Sequence, residues 1–247
     1  MIDRRTARHN RLLAALPEAA LADLSPHLTP VTLVQGEALF EPGDTLTHVH
    51  FPLRGLVSIV TVMADGTAVE TATVGPEGAV GLVQAIGTGK VFWRAIVQLP
   101  GEALCIERMR LQTIGAVDEA VREIARRYTE AVLMQVLQLV ACNALHGVEA
   151  RLARWLLTCR DCVSDDRLPL TQGFLAEMLG VSRTTVTQVA RNLQRAKLIA
   201  YRHGQVRILD HPGLERCACE CHARIRHGFD VLLPLFGKDE WLNQNNP

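Results

Sequence analysis

Three textures in series predict an α+β chain: a small jelly-roll-like antiparallel β-roll, one long helix, and a C-terminal pair of short helices followed by a wing. The first texture is a set of Val-, Thr- and Ile-rich runs at residues 31–34, 56–63, 68–74, 95–99 and 103–107, punctuated by Glu-Pro-Gly-Asp, Asp-Gly, Gly-Pro-Glu-Gly and Pro-Gly. The second is an apolar spacing of three and four, without Pro or Gly, from residue 118 to 145. The third is a helix, a Gly turn and a second helix over residues 171–199. With 247 residues, 48% of them apolar, the chain can bury at least one sizeable core and divides into two domains.

Residues 1–28 carry Arg4, Arg5, Arg8 and Arg11 ahead of a leucine pattern interrupted by Pro17. Glu18 and Asp23 break the apolar run and no cleavage site follows, so this is a short amphipathic helix rather than a leader. No run reaches roughly 18 uninterrupted apolar residues, so no membrane span and a cytoplasmic location are expected. Residues 29–112 form the β-roll, with Asp65-Gly66 as a strong hairpin signal. His48 and His50 share a strand face, as in small-barrel metal enzymes. Arg54 stands where a ligand Glu would be needed, and no His occurs between residues 51 and 145, so the enzyme reading fails on ligand count. Residues 113–146 form the long helix, whose stripe includes Val117, Val121, Ile124, Tyr128, Val132 and Val136. A helix so apolar in its second half wants packing on more than one side. Gly147 ends it, and residues 148–162 open the C-terminal domain, 147–247, with an amphipathic helix.

In that domain Phe174, Leu175, Met178 and Leu179 give one helix an apolar face, and Gly180 turns the chain. Ser182 caps a second helix whose buried stripe is Val186, Val189, Ala190 and Leu193. Arg183, Thr184, Thr187, Gln188 and Arg191 are left outward, a pattern that fits a helix-turn-helix. An Arg fork pairs with guanine O6 and N7, and Gln with adenine. Thr171 and Gln172, with the free amides of the first helix, suit a phosphate. Between residues 178 and 209 there are six Lys or Arg (183, 191, 195, 197, 202 and 207) and no Asp or Glu. The zero net charge hides a split, with 14 basic and 10 acidic residues in 151–247 against 12 and 16 in 1–150. Residues 201–209 form a short hairpin turning at Gly204, with Arg202, His203 and Arg207 near a backbone.

LTQGFLAEMLGVSRTTV followed by LIAYRHGQVRIL resembles the DNA-binding domain of the Crp/Fnr family of bacterial transcription regulators. FEPGDTLTHVHFPLRGLVSIV and the glycines of VGPEGAVG resemble the cyclic-nucleotide-binding β-roll of the same family, so the likeness covers nearly the whole chain. It implies a homodimer, paired through the long helix, on a palindromic stretch of double-stranded DNA, and it admits RNA polymerase as a partner. Arg183 takes the position of the guanine-reading Arg. Ser182, Thr184, Thr185, Thr187 and Gln188 surround it, with Arg191, Arg202 and His203 on phosphates. Where the cAMP-dependent pattern has a Glu and a second Arg, this chain has Thr184 and Gln188, so its target should differ at those bases. The roll departs too: Leu82 follows Gly81 where a ribose-binding Glu is needed, and the nearby Arg94 is followed by Ala95 rather than Ser or Thr. A ribose hydroxyl left without its acceptor costs roughly 1–3 kcal/mol, so cAMP is not expected as a cofactor. Gly81, Leu82 and Arg94 remain the candidate effector pocket.

None of the seven cysteines precedes Cys105, which leaves no N-terminal group to hold an iron–sulfur cluster. Disulfides are not expected in the cytoplasm. Cys159-x-x-Cys162 is one thiol motif, and Cys217, Cys219, Cys221 and His222 are another that could bind zinc or switch on oxidation. As a single helix, however, the second would put 217 and 221 on one face and 219 on another, so no metal is assigned. A thiol- or metal-responsive regulator stays the alternative. Residues 229–241 are expected to pack on the domain, and 243–247 to be loose.

Overall fold

The computed structural model describes residues 3–234. The expected loose tail at 243–247, and most of the segment 229–241, lie outside them. The N-terminal segment is three short helices, α1 (Arg4–Ala7), α2 (Arg11–Ala15) and α3 (Glu18–Leu24), rather than one. Asn10 is the reason for one break: its side chain caps α2 through the Leu12 and Leu13 amides and its amide donates to the Pro52 and Gly78 carbonyls. Pro17 makes the other.

Strands β1 (Thr29–Leu33), β2 (Ala38–Phe40), β3 (His48–Val62) and β4 (Ala68–Val74), helix α4 (Leu82–Ile86) and strand β5 (Arg94–Glu107) build the roll. The sheet order is β1-β5-β3-β4, with β2 also on β5, and every pairing is antiparallel. The runs predicted at 95–99 and 103–107 are one strand, bent where β3 and β5 shift register around Arg54 and Leu56. A Cβ on Gly101 would run into the Arg54 carbonyl oxygen, so the bend requires glycine there.

Helix α5 (Arg108–Val117) precedes the 27-residue α6 (Glu119–Leu145), and Asp118 divides them by capping the Val121 amide. Along α6 the residues Val121, Ile124, Ala125, Tyr128, Ala131, Gln135, Leu139 and Cys142 are buried. The prediction of a partner-facing stripe is corrected here for Val121, Ile124 and Tyr128, which pack into their own roll; the Tyr128 hydroxyl donates to the Ala79 carbonyl. Val132 and Val136 are half-buried and Val117 is exposed on α5. The apolar residues left outward on α6 are Leu133, Leu137, Val140, Ala144 and, at its end, Leu145. By length and hydropathy α6 could cross a membrane. One of its faces is spent on the roll, however, and its first half carries Glu119, Arg122, Glu123, Arg126, Arg127 and Glu130, tied by ion pairs.

After the extended pair His146–Gly147 come α7 (Val148–Val163), β6 (Arg167–Leu168), α8 (Gln172–Leu179), α9 (Arg183–Arg195), β7 (Ile199–Arg202), β8 (Gln205–Ile208), α10 (His211–Cys217) and α11 (Cys221–Leu232). The two domains share a core. Leu56, Val60 and Leu99 of the roll join Trp155, Leu156, Met178 and Leu179 in one apolar cluster. Trp155 is fully buried, and its Nε1 donates to both carboxylate oxygens of Glu70 on β4, at 2.9 and 3.1 Å. Ser58 donates to the same carboxylate at 2.5 Å. Burial pushes the Glu70 carboxyl up to about 7, against the donors Ser58 and Trp155 and the nearby Arg154, which favour its charged form. Cys159 and Cys162 lie in this seam; burial raises both thiols well above their ordinary value, so this pair packs rather than reacts.

Candidate nucleic-acid interface

The C-terminal unit earns its shape residue by residue. The Thr171 hydroxyl accepts from the Phe174 amide and starts α8. Gly180 sits at φ +61° just past its end, the left-handed conformation that closes a helix. Two residues later Ser182 Oγ accepts from the Thr185 amide at 3.1 Å and opens α9. Val186, Val189, Ala190 and Leu193 face the core. The opposite face of α9 presents Arg183, Thr184, Gln188, Arg191, Asn192 and Arg195, all exposed.

Several residues expected on DNA are already engaged within the motif. Thr187 Oγ1 lies 2.9 Å from the Arg183 carbonyl and 3.1 Å from Gln172 Oε1, linking the two helices at half-buried positions. The hydroxyls of Thr185 and Ser182 are 2.9 Å apart. These groups hold α9 in place against α8. Asn192 and Arg195 lie one and two turns on from Gln188 along the same outer face. Asn192 also donates to Glu149 of α7 at 2.9 Å.

The wing is a two-residue hairpin. His203 at φ +50° and Gly204 at φ +73° are both left-handed, the geometry that matches strand twist in a tight turn. Arg202, His203 and Arg207 are exposed on it, and β6 adds a third strand on β8. Arg183, Arg191, Arg195, Lys197, Arg202 and Arg207 are all exposed, and none forms an ion pair among the described residues. Such a surface is electrostatically unanswered. It can neutralise phosphates and release their counterions.

The roll carries a second feature, a half-open pocket of about 310 Å³ between β3, β4, α4 and α6. Ile59, Val80, Val83, Val132 and Val136 supply its apolar wall with the Trp93 ring; Thr61, Thr71, Gln84 and Gln135 are polar side chains on it besides the Tyr128 hydroxyl, and among the described residues no Asp, Glu, Lys, Arg or His lines it. Of the candidate pocket residues only Gly81 reaches it. Leu82 is buried in α4, and Arg94 is corrected: its Nε donates to both carboxylate oxygens of Glu41, at 2.9 and 3.0 Å.

The cysteine–histidine run at 217–222 does not stay on one helix. Cys217 ends α10, Ala218 is extended and Cys221 begins α11. Cys217 Sγ lies 4.0 Å from Glu149, and His222 Nε2 pairs with Asp161 at 3.0 Å. Those two candidate ligands are therefore elsewhere, while Cys219 and Cys221 turn toward α6.

Residues 150–217 match the Crp-like helix-turn-helix domain, and residues 30–117 match the cyclic nucleotide-binding domain. A global nitrogen regulator of Nostoc sp. is 25% identical over 185 residues, 68% of this chain and 80% of the relative. Among solved structures, FixK2 from Bradyrhizobium japonicum superposes with a TM-score of 0.64 at 15% identity, over 78% of this chain and 98% of the other. A CRP-family transcriptional regulator from Thermus thermophilus gives 0.64 at 22% identity, over 76% and 96%. Two matched domains in the family's order, with regulators rather than enzymes as relatives, place this chain in the Crp/Fnr family of transcription regulators.

Proposed function

We propose that this transcription regulator acts in the cytoplasm as a homodimer, placing the two copies of α9 in successive major grooves of a twofold-symmetric site. The observation that carries the reading is the outer face of α9 with the wing, where six exposed cations have no acidic neighbour in sequence from residue 178 to 209. Arg183, in the first turn of α9, is the base reader, with Thr184 and Gln188 beside it. Arg191, Arg202 and His203 meet phosphates. Thr171, Gln172, Ser182, Thr185 and Thr187 shape the motif that presents them.

The second copy docks on Leu133, Leu137, Val140 and Ala144, whose 4-3-4 spacing is the seam of a paired helix. Leu137→Glu should leave a folded monomer in light scattering and weaken binding to the full site. A dimer that survives this change uses another surface. The pocket in the roll takes a small, uncharged and mostly apolar effector rather than cAMP, because a nucleotide phosphate would meet no cation among the described residues that line it.

Selection from a random double-stranded pool by the reduced full-length protein tests the reading. It should enrich a twofold site with half-sites about 10 base pairs apart. Enrichment of an asymmetric motif would exclude the symmetric dimer. If a full-length protein shown to be folded by far-UV circular dichroism enriches no motif, α9 is not a sequence reader.

A further inference from the structure

At the junction of the two domains four side chains from distant parts of the sequence converge. Cys142 and His146 stand one turn apart at the C-terminal end of α6, Cys219 comes from the link between α10 and α11, and Cys221 is the first residue of α11. Each offers one ligand atom, and the four atoms all lie within 4.8 Å of one another. Cys142 Sγ is 3.5 Å from Cys219 Sγ, and Cys221 Sγ is 3.5 Å from His146 Nδ1. A tetrahedral ion with bonds near 2.3 Å to sulfur and 2.0–2.1 Å to nitrogen sets its ligand atoms about 3.5–3.8 Å apart. We propose that Cys142, His146, Cys219 and Cys221 form a closed tetrahedral site for one thiophilic divalent cation of the zinc type, which fastens α11 to α6 beside the His146–Gly147 link between the domains.

The surroundings are those of a metal site. His146 Nε2 lies 3.3 Å from the Glu220 carboxylate, a contact that places the proton on Nε2 and turns the Nδ1 lone pair toward the thiols. Gln138 Nε2 donates to Cys221 Sγ at 3.1 Å, a bond that a thiolate accepts better than a thiol. Three thiolates around a dication leave one net negative charge. Arg151 and Arg154, both buried on α7, sit close enough to act electrostatically on Cys142, and the Nε of each has no partner among the described residues. Cys142 and Cys221 are fully buried and Cys219 nearly so, with four protein ligands and no open position, so the ion is structural or sensed rather than catalytic. The tight cluster argues against an iron–sulfur centre, whose thiolates sit on separate irons and need a wider frame. The ion joins α11 to α6 across Gly147, and so sets how firmly the reading unit is held.

The test needs neither DNA nor an effector, so it stands apart from the DNA-binding reading. Full-length protein purified under reducing conditions should carry one zinc per chain by elemental analysis. Replacement by Co2+ alone should give a thiolate-to-cobalt charge-transfer band with the visible bands of a tetrahedral ion. Cys142→Ser and Cys221→Ser should lose that spectrum, His146→Cys should keep it with a fourth thiolate, and Cys217→Ser should leave it unchanged. Glu220→Gln should weaken metal affinity by about 10–100-fold in chelator competition. Far-UV circular dichroism identifies which variants are folded, and His146→Cys and Glu220→Gln carry the test if the serine variants are not. A folded, reduced wild type that gives no cobalt–thiolate band overturns the site. So does a Cys217→Ser variant that loses the metal, or iron with acid-labile sulfide in place of zinc.

Discussion

The outward face of α9 and the seam between the domains keep arginines in opposite conditions. On α9, Arg183, Arg191 and Arg195 stand in water without ion partners among the described residues. In the seam Arg151 and Arg154 are buried, and Arg151 donates to the Leu179 carbonyl at 2.5 Å. An exposed guanidinium costs the fold nothing and stays free to meet a phosphate or a guanine. A buried one must be answered from inside the protein, here by Glu70 and by the thiols at the end of α6. Changes on the first surface should therefore alter binding and spare stability, and changes in the second should do the reverse.

The largest effect falls in the seam. Trp155→Ala removes a fully buried indole and one donor to Glu70, and should lower unfolding stability by about 3–5 kcal/mol in urea titrations. A loss below about 1 kcal/mol would mean that the domains do not share a core in solution. Next comes Arg183→Ala, which should cost roughly 1–3 kcal/mol of binding and relax one base position, with an unchanged urea midpoint. Equal weakening on every sequence would make Arg183 a phosphate contact.

A smaller effect links pH to the seam. The Glu70 carboxyl is raised by burial to about 7 from an ordinary 4.5, so the folded state takes up its proton first as pH falls. Glu70 therefore weakens the fold above pH 7, and this cost is relieved between about pH 7 and 4.5. Glu70→Gln should be the more stable chain at about pH 8, with that advantage fading by about pH 5. An advantage that stays constant with pH would show that Glu70 does not titrate there. Smallest is Arg202→Ala on the wing, which should weaken all DNA sites alike and reduce the salt slope of binding by about 1. An unaltered slope removes the wing from the interface.

How far the sequence reaches differs along the chain in the same way. The parts of α9 and the wing are local: a cap at Ser182, a left-handed Gly180 and a two-residue turn at His203-Gly204 each follow from residues within one turn of chain. Placing Thr187 on Gln172 instead of outward depends on how two helices cross. Arg94 meets Glu41 across the roll, a contact 53 residues apart that no spacing announces.

Local propensity and periodicity by themselves determined the β-roll, the long helix except for its break at Asp118, the helix-turn-helix and the outward polar face of α9, because each is written in neighbouring residues. Tertiary structure decided which face of α6 is left for a partner, since Val121, Ile124 and Tyr128 are apolar in either setting and only the roll beneath them fixes the side that is filled. It also decided the cysteine chemistry. Cys219 and Cys221 look like members of a local run with Cys217 and His222, yet the break at Ala218 turns them to Cys142 and His146, more than 70 residues earlier. A ligand set depends on distances in space, and those are set by how α6, α10 and α11 pack together.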